Sequence, residues 1–429
     1  YGHRAIETPQ LDRFRADAML FERAWSPVPL TAPAHASMLT GRLPAEHGIR
    51  DNSGFTLSPQ VPTLAEQLGK RGYATAAMVS TKVLAPKTGL NRGFVVYDQQ
   101  FDGAERDGAQ TIANALQWMR KQKQPFFLFL HLYEPHTPYR KLAGVADPYD
   151  AEIVRVDALL ATFFDELRRR KLYDPALIVF TSDHGEGLGD HGEKQHGILL
   201  YREALQVPLI VKLPNNARRG TSIAADAHLI DIAPTILQQP GGLLALPPAR
   251  PIYAESFYPR FQLGWHELHS IVQGNFHLIT GRRTELYDLA RDPHERTNLV
   301  DAQRRQAVAI LRQLRITSAQ SPAKTKPDDT LFGLGYLSGG ADDTTFRPHP
   351  SDRIAIFNPM LKLVTALKRK QYDVALTLAD EILKQHPDYA EVWERKAAAL
   401  LGLGRRRDAE RAIEKSLSLL QPAPADETH

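Results

Sequence analysis

The chain has 429 residues, of which 43% are hydrophobic and 24% are charged, as is ordinary for a globular protein of two or three domains. Its net charge is only +4 and its basic residues are scattered, so nothing points to a nucleic-acid partner. It has no Cys, which excludes disulfides, thiolate metal ligands and a Cys nucleophile. No apolar run reaches the ~18–20 residues that would span a bilayer.

Residues 1–250 alternate short apolar runs with helical patterns. This alternation predicts an α/β domain with a mostly parallel sheet flanked by helices. The predicted helices are 63–70, 109–121, 151–170 and 231–238. The predicted strands are 74–79, 126–132, 176–181 and 207–213.

After Pro247 the pattern changes. Short strands at 252–256, 269–273 and 276–280, followed by a helix near 302–314, predict a small α+β subdomain. We place this subdomain at residues 251–317. Residues 318–355 are largely rich in Pro, Gly, Asp, Ser and Thr and are predicted to be a linker.

Residues 356–421 are predicted to form an all-α tail with an internal repeat. The segments 372–375 and 406–409 are similar and start 34 residues apart, which is the period of tetratricopeptide helix pairs. One and a half repeats bury little surface, so we expect the tail to pack on the main body or to be completed by a protein partner. A plain helical hairpin is the alternative.

Thr31 opens the first segment that suggests chemistry. Pro29 and Pro33 stand on either side of it, at the entry of a helix that we expect to start near Ala34. A helix N-terminus has unpaired N–H groups and a positive dipole end, which suit an anionic ester and an alkoxide nucleophile. The segment alone is equally compatible with Thr31 as a simple N-cap.

Asp183 and His184 come directly after the predicted strand 176–181, in a turn with Gly185 and Gly187. Ligands of α/β sheets bind at the carboxyl ends of the strands. A carboxylate beside an imidazole suits zinc or a similar divalent ion. The segment therefore predicts metal ligands rather than a plain polar turn.

Further histidines follow two predicted strands. His131, Glu134 and His136 lie in a stiff, Pro-containing loop. His136 is a candidate for holding a metal or an anionic oxygen, whereas His131 is as easily a core histidine; whether Glu134 joins a second metal site stays open. Beyond the Asp183 turn, His196 is preferred to His191 because it precedes an apolar run.

With these segments in order, residues 1–300 resemble the sulfatase/alkaline-phosphatase superfamily. The sulfatase nucleophile block, Cys/Ser-x-Pro-Ser-Arg followed by Ala-Ser-Leu-Leu-Thr-Gly, has its counterpart at residues 31–41. Sulfatases convert that Cys or Ser to formylglycine, an aldehyde that Thr31 cannot give because its β-carbon carries a methyl group.

The block is still more similar to that of nucleotide pyrophosphatases/phosphodiesterases. The residues matched in register are Thr31, Pro33, His35, Ser37, Thr40, Gly41, Pro44, His47, Gly48, Asp51 and Asn52. In that family an Asn steadies an oxygen of the transferred group, which implies this role for Asn52. The resemblance also implies Thr31 as nucleophile.

The same resemblance implies metal-binding roles for Asp183 and His184, and a contact of His136 with the substrate anion. The implied cofactor is a divalent metal ion, with zinc, calcium and manganese all possible. Sulfatase-like relatives further carry one or two metal-binding aspartates on a strand that would precede Tyr1. The resemblance favours a periplasmic or other extracytoplasmic location.

Some sulfatase motifs are absent or substituted in this sequence, and other matching segments have no catalytic role. The Gly-Lys-x-His block is absent, and Lys82 is either a substitute charge or a surface lysine. His196 stands where a lysine is expected. Residues 285–299 resemble the structural C-terminal block of sulfatases, and Leu334–Gly339 resembles a stretch in bacterial sulfatase-like proteins with tetratricopeptide tails.

We therefore predict a metal-dependent hydrolase of phosphate or sulfate esters. The predicted catalytic residues are Thr31, Asn52, His136 and His196, and the predicted metal ligands are Asp183, His184 and Thr31. A Thr nucleophile favours phosphorus over sulfur. The alternatives are a transferase of a phospho-headgroup and a catalytically degenerate core whose tail binds a protein partner.

Overall fold

A computed structural model describes residues 3–247, 250–314 and 347–420. The helices are α1 (Pro9–Ala16), α2 (Thr31–Thr40), α3 (Pro44–His47), α4 (Leu64–Lys70), α5 (Gly108–Met119), α6 (Pro148–Arg169), α7 (Arg202–Leu205), α8 (Ile232–Leu237), α9 (Arg304–Leu311), α10 (Phe357–Lys368), α11 (Tyr372–Gln385), α12 (Ala390–Gly402) and α13 (Arg406–Leu420). Among the described residues, no helix combines the length and apolar character that a bilayer crossing requires.

The strands form three sheets. They are β1 (Met19–Trp25), β2 (Ala74–Met78), β3 (Val96–Asp98), β4 (Phe126–Leu130), β5 (Ile178–Thr181), β6 (Gln206–Lys212), β7 (Ser222–Ile223), β8 (Ala227–His228), β9 (Ile252–Ser256), β10 (Leu268–Gln273), β11 (Phe276–Thr280) and β12 (Thr284–Asp288). The largest sheet has the order β5-β6-β1-β7 with β8 also on β1, and a second sheet has the order β3-β2-β4.

Helices flank these two sheets, which confirms the predicted α/β class. The strands β2, β3 and β4 are parallel, whereas β6 runs antiparallel to both β1 and β5. Apolar side chains of α1, α5 and α6, such as Phe14, Ile112 and Phe164, form one buried layer against the sheets. The chain leaves β4 at His131 and β5 at Ser182, so both strands deliver polar residues at their carboxyl ends.

The α+β subdomain has four antiparallel strands in the order β12-β11-β10-β9. Three of them were predicted, and β12 is the additional one. Helix α9 packs on this sheet through Ala307 and Ile310, which are buried with Ile271, Leu278 and Leu286. The sulfatase-like block at residues 285–299 thus includes an edge strand of this sheet.

The tail is helical from α10 to α13. Tyr372 opens α11 and Arg406 opens α13, so the two similar segments start equivalent helices. The tetratricopeptide assignment itself stays a prediction. Most of the predicted linker 318–355 and the stretch Leu334–Gly339 lie outside the described residues.

Helix α10 is part of the main hydrophobic core. Phe357, Met360 and Leu363 are buried in one cluster with core residues that include Trp25 and Tyr258. The Phe357 ring meets the Tyr258 ring edge to face at 6.3 Å between centroids. The tail therefore packs on the main body, the first of the two arrangements that its sequence allowed.

Leu363→Ala should lower the free energy of unfolding by about 2–5 kcal/mol, because Leu363 is fully buried and its truncation leaves a cavity. Leu401→Ala is the matched control, since Leu401 lies in the same tail but is 52% exposed; its effect should stay within about 0.5 kcal/mol. Urea unfolding followed by circular dichroism measures both. Equally small effects would contradict a core shared by tail and body.

Candidate active site

Thr31 is the first residue of α2, and the residue is 1% exposed. The helix begins three residues earlier than predicted, with Leu30 as its extended N-cap. All of α2 is buried, and it ends at Gly41, whose φ of 69° is left-handed. A Cβ there would come within 3.1 Å of Pro234, so a glycine suits both the turn and the close packing.

Asn52 lies against the N-terminus of α2. Its Oδ1 accepts a hydrogen bond of 2.7 Å from the Ala32 backbone N–H. Pro33 has no N–H, so the helix N-terminus offers fewer free donors to an anion than its sequence suggested. The Asn52 Nδ2 group is buried and has no hydrogen-bond partner.

Asp183 follows β5 and lies among imidazoles. Its Oδ2 is 3.4 Å from His184 Nε2 and 3.5 Å from His35 Nδ1, and 19% of its side chain is exposed. Burial opposes ionisation of Asp183, but the neighbouring imidazoles, His184 and His35 first, favour its charged form and hold its pKa well below the usual range. A carboxylate at the end of β5 is thus close to the residue that opens α2.

His35 makes that connection. Its Nδ1 donates to the Thr31 backbone carbonyl at 2.7 Å, one helical turn back, while the same nitrogen lies 3.5 Å from Asp183. Its ring also meets the His131 ring edge to face, with 5.0 Å between centroids. The sequence placed His35 only in the matched block and gave it no role. The helix was predicted to start near Ala34, after Thr31, so nothing in the sequence led us to expect this i, i+4 bond.

Four of these histidines share one tautomer. Each ring Nδ1 lies within 3.0 Å of a backbone carbonyl, which only accepts hydrogen bonds, so each Nδ1 carries the proton. The pairs are His35 with Thr31, His136 with Thr137, His184 with Gly185 and His196 with Pro29. A neutral ring held in this way presents its Nε2 lone pair. Such backbone anchoring is typical of histidines that bind a metal.

Burial keeps several of these rings neutral. It lowers the pKa of His35 and of His196, and it lowers the pKa of His136 to about 4. His184 and His196 face each other with 4.0 Å between ring centroids, and His136 lies 5.6 Å from His196. The predicted residues Asp183, His184, His136 and His196 are therefore brought into one cluster.

His131 has the opposite tautomer. Its Nδ1 accepts a hydrogen bond from the Ser80 backbone N–H at 3.3 Å, so in the neutral ring the proton is on Nε2. The Ser80 hydroxyl also donates to the His131 carbonyl. Burial, followed by the charge of His35, lowers the pKa of His131 to about 3. His131 is thus a buried histidine that offers an N–H rather than a lone pair.

The donor set can be tested against a divalent ion. Asp183 Oδ2 and His184 Nε2 are 3.4 Å apart. With bonds of about 2.0–2.1 Å, two ligands of one tetrahedral zinc are separated by roughly this distance. Among residues 3–247, 250–314 and 347–420, no group of three His, Asp or Glu residues already forms a metal site. Asp183 and His184 therefore fit as two ligands of an incomplete set.

Glu134 and Lys82, two candidates from the sequence, make contacts outside this cluster. The Glu134 Oε1 accepts from the Gly108 N–H at 3.0 Å and from Arg140 at 2.8 Å, so it fixes the loop that carries His136. Lys82 donates to the Gln99 carbonyl and covers the Phe101 ring at 4.5 Å. In these contacts neither Glu134 nor Lys82 presents its charge to an ester bound at Thr31.

His191 is a structural histidine, in line with the preference for His196. Its Nδ1 pairs with Glu203 at 2.6 Å, its Nε2 donates to the Glu295 carbonyl at 3.2 Å, and its ring stacks on Tyr201. Burial alone would lower the pKa of His191, but Glu203 raises it above the ordinary value.

Glu186 is a residue near the site to which the sequence gave no role. It is buried, and its Oε2 accepts the Tyr139 hydroxyl at 2.9 Å while its Oε1 has no hydrogen-bond partner. Burial raises the pKa of Glu186 to about 7. Its position three residues after Asp183 in the Gly-bracketed turn was visible in the sequence, but its burial was not.

Comparison with known proteins gives a family profile and several relatives. The family described as Sulfatase matches residues 1–242. Human arylsulfatase A is 24% identical, over 80% of this chain and 88% of its own, and an arylsulfatase of Clostridium perfringens is 20% identical, over 78% and 94%. The crystal structure of a phosphonate monoester hydrolase of Agrobacterium radiobacter superposes with a TM-score of 0.59 at 18% identity, over 78% of this chain and 91% of that one. This structural likeness shows a common fold.

The His191–Glu203 pair predicts a pH-dependent stability. A histidine whose folded pKa is raised stabilises the fold below its unfolded value of about 6.5, and this stabilisation is lost as pH rises through the folded pKa. His191→Phe keeps a ring on Tyr201 but removes the charge. Urea unfolding should show a wild-type advantage near pH 5–6 that shrinks as the pH rises through the raised pKa of His191, above about 6.5; an advantage independent of pH would contradict the charged pair.

Proposed function

The chain belongs to the sulfatase family and is a hydrolase of ester bonds, and we propose that it acts on phosphate esters with Thr31 as nucleophile. The family profile covers more than half of the chain. The observation that carries the proposal is the position of Thr31. It opens a buried helix whose first turn is bonded to Asn52, a side chain with an unpaired Nδ2, and it is linked through His35 to the carboxylate–imidazole cluster of Asp183.

The identity of residue 31 favours phosphorus over sulfur. Sulfatases act through formylglycine, and a threonine cannot be converted to that aldehyde because of its β-methyl group. A hydroxyl nucleophile suits phosphoryl transfer, in which the enzyme mainly positions the groups and stabilises charge. The sulfatase name would then describe the ancestry of this chain more closely than its substrate.

The proposed reaction has two steps. The Thr31 Oγ attacks phosphorus in line, forming a Thr31–phosphate ester while the bond from phosphorus to the leaving oxygen breaks. Asn52 Nδ2 and the dipole of α2 stabilise the equatorial oxygens. Water then cleaves the covalent ester and restores the hydroxyl, with His136 and His196 binding the anion or transferring protons.

Asp183 and His184 would hold a divalent ion, with Thr31 as the neighbouring oxygen ligand. Such an ion, when bound, lowers the pKa of a coordinated hydroxyl and neutralises charge on the phosphoryl group. The backbone carbonyls of Pro29 and Gly185 fix the tautomers of His196 and His184 around that position. Zinc, calcium and manganese are the candidates.

Thr31→Ala should lower kcat for an aryl phosphate by at least about a thousandfold, because it removes the bond-forming oxygen. Thr40→Ala is the matched control: Thr40 lies on the same helix, and its hydroxyl only donates to the Ala36 carbonyl. It should keep turnover within about threefold. Steady-state kinetics with aryl phosphate, phosphodiester, phosphonate monoester and sulfate esters measures both, and full activity of Thr31→Ala would refute the nucleophile.

Removal of metal should abolish turnover. Dialysis against a chelator is expected to lower activity to background, and addition of zinc, manganese or calcium should restore it. Asp183→Asn should bind less of the restoring ion, as elemental analysis after gel filtration would show. Unchanged activity of a metal-free preparation would contradict the role of Asp183 and His184.

A further inference from the structure

A buried carboxylate closes the loop that carries His196. It belongs to Glu193, which is 2% exposed and lies between the Asp183 turn and the apolar run that begins at Ile198. Glu193 has no part in the reaction described above. What it does for that reaction rests on the proposed function, because His196 is one of the residues to which that function assigns a role.

Both carboxylate oxygens of Glu193 accept hydrogen bonds from the backbone. Oε1 accepts the Ile198 N–H at 2.9 Å, and Oε2 accepts the Leu199 N–H at 2.8 Å. Ile198 is 0% exposed and Leu199 is 1% exposed, so these N–H groups need acceptors from within the protein. The Glu193 side chain therefore closes residues 193–199 into a loop, with His196 inside it.

The backbone of the same loop is bonded to the turn that carries Asp183. The Gly189 N–H donates to the Glu193 carbonyl at 2.9 Å, and the Gly187 N–H donates to the Gln195 carbonyl at 2.7 Å. A Cβ on Gly187 would lie 2.2 Å from the Glu193 carbonyl oxygen, so this close approach requires a glycine. Glu193 is thus the junction between the turn and the loop.

His196 is fixed against the segment that precedes the nucleophile. Its Nδ1 donates to the Pro29 carbonyl at 3.0 Å. Gly197 follows in a left-handed conformation with a φ of 107°, and a Cβ there would come within 3.1 Å of the Leu30 side chain. The loop backbone must therefore keep its course for the ring to reach Pro29, and Glu193 fixes that course just beyond His196.

The group that closes the loop is ionisable, although it is buried. Burial raises the pKa of Glu193 to about 8. The N–H groups of Leu199 and Ile198 oppose that rise, whereas the like charges of Glu186 and Glu203 add to it. An ionised carboxylate accepts on both oxygens, whereas an amide has one acceptor oxygen and a carboxylic acid donates from one of its two. An N–H on each oxygen is the arrangement that suits the ionised form.

We propose that Glu193 is a positioning residue for the ester hydrolysis: its carboxylate closes the loop 193–199, so that the His196 ring keeps Nδ1 on the Pro29 carbonyl and presents Nε2 to the site. Burying a charge costs stability, but a carboxylate holds two N–H groups at once. Glu193 acts through His196 and not on the substrate.

Glu193→Gln should lower kcat/KM for the aryl phosphate about tenfold or more, measured at about pH 9, where the wild-type carboxylate is ionised. The amide keeps the shape of the side chain but leaves one buried N–H without an acceptor. Lys194→Gln is the matched control, since Lys194 is exposed in the same loop; it should keep turnover within about threefold.

Glu193→Asp is a second variant, in case the amide variant does not fold. Its carboxylate is one methylene too short to reach both N–H groups, so it should show a loss similar to that of Glu193→Gln. Wild-type turnover of either folded variant overturns the proposal.

A double-mutant cycle shows whether Glu193 acts through His196. His196→Gln should itself lower turnover by about a hundredfold. In that background Glu193→Gln should lower it further by less than about threefold, because the group that Glu193 positions is already absent. A loss from Glu193→Gln that is equally large in both backgrounds overturns the proposal.

A measurement that needs no turnover separates this inference from the proposed function. Long-range proton–nitrogen NMR spectra of the full chain, with isotope-labelled histidine, distinguish protonated from unprotonated ring nitrogens. The His196 signals, assigned by their loss in His196→Gln, should show a protonated Nδ1 in the wild type and the averaged shifts of two exchanging tautomers in Glu193→Gln. Unchanged His196 signals would overturn the inference, whereas absence of wild-type turnover with every ester would refute only the proposed function.

Discussion

The burial of the Asp183 carboxylate among imidazoles is the interaction on which the rest of the site depends. Burial opposes ionisation of that carboxylate, and the neighbouring imidazoles favour its charged form. Backbone carbonyls fix the orientation of the His184 and His196 rings in the same cluster. His35 carries the same constraint to α2, because its Nδ1 joins the Thr31 carbonyl while it faces Asp183.

Much of this arrangement could be predicted from the sequence, because polar residues directly after apolar runs mark the carboxyl ends of strands. That pattern placed Asp183 and His136 after the ends of two predicted strands. It could not give His35 its role, since the direction of a ring within a buried helix depends on tertiary packing. Strand β1 was missed because Glu22 and Arg23 interrupt its apolar pattern; Arg23 is paired with Asp226 at 2.7 Å.

The tail illustrates what the hydrophobic periodicity of a sequence cannot predict. A helical repeat indicates which residues share an apolar face, but not which surface covers that face. In the structure the main hydrophobic core covers that face, and Met360 and Leu363 are buried in it.

The most direct test of the account is to trap the covalent intermediate. The full-length, metal-loaded chain would be mixed with an aryl phosphate, quenched in acid after a few turnovers, and digested for peptide mass mapping. We predict one phosphoryl group on the peptide that contains Thr31, and none in Thr31→Ala. Turnover that leaves Thr31 unmodified, or a phosphoryl group on another residue, would contradict the threonine nucleophile.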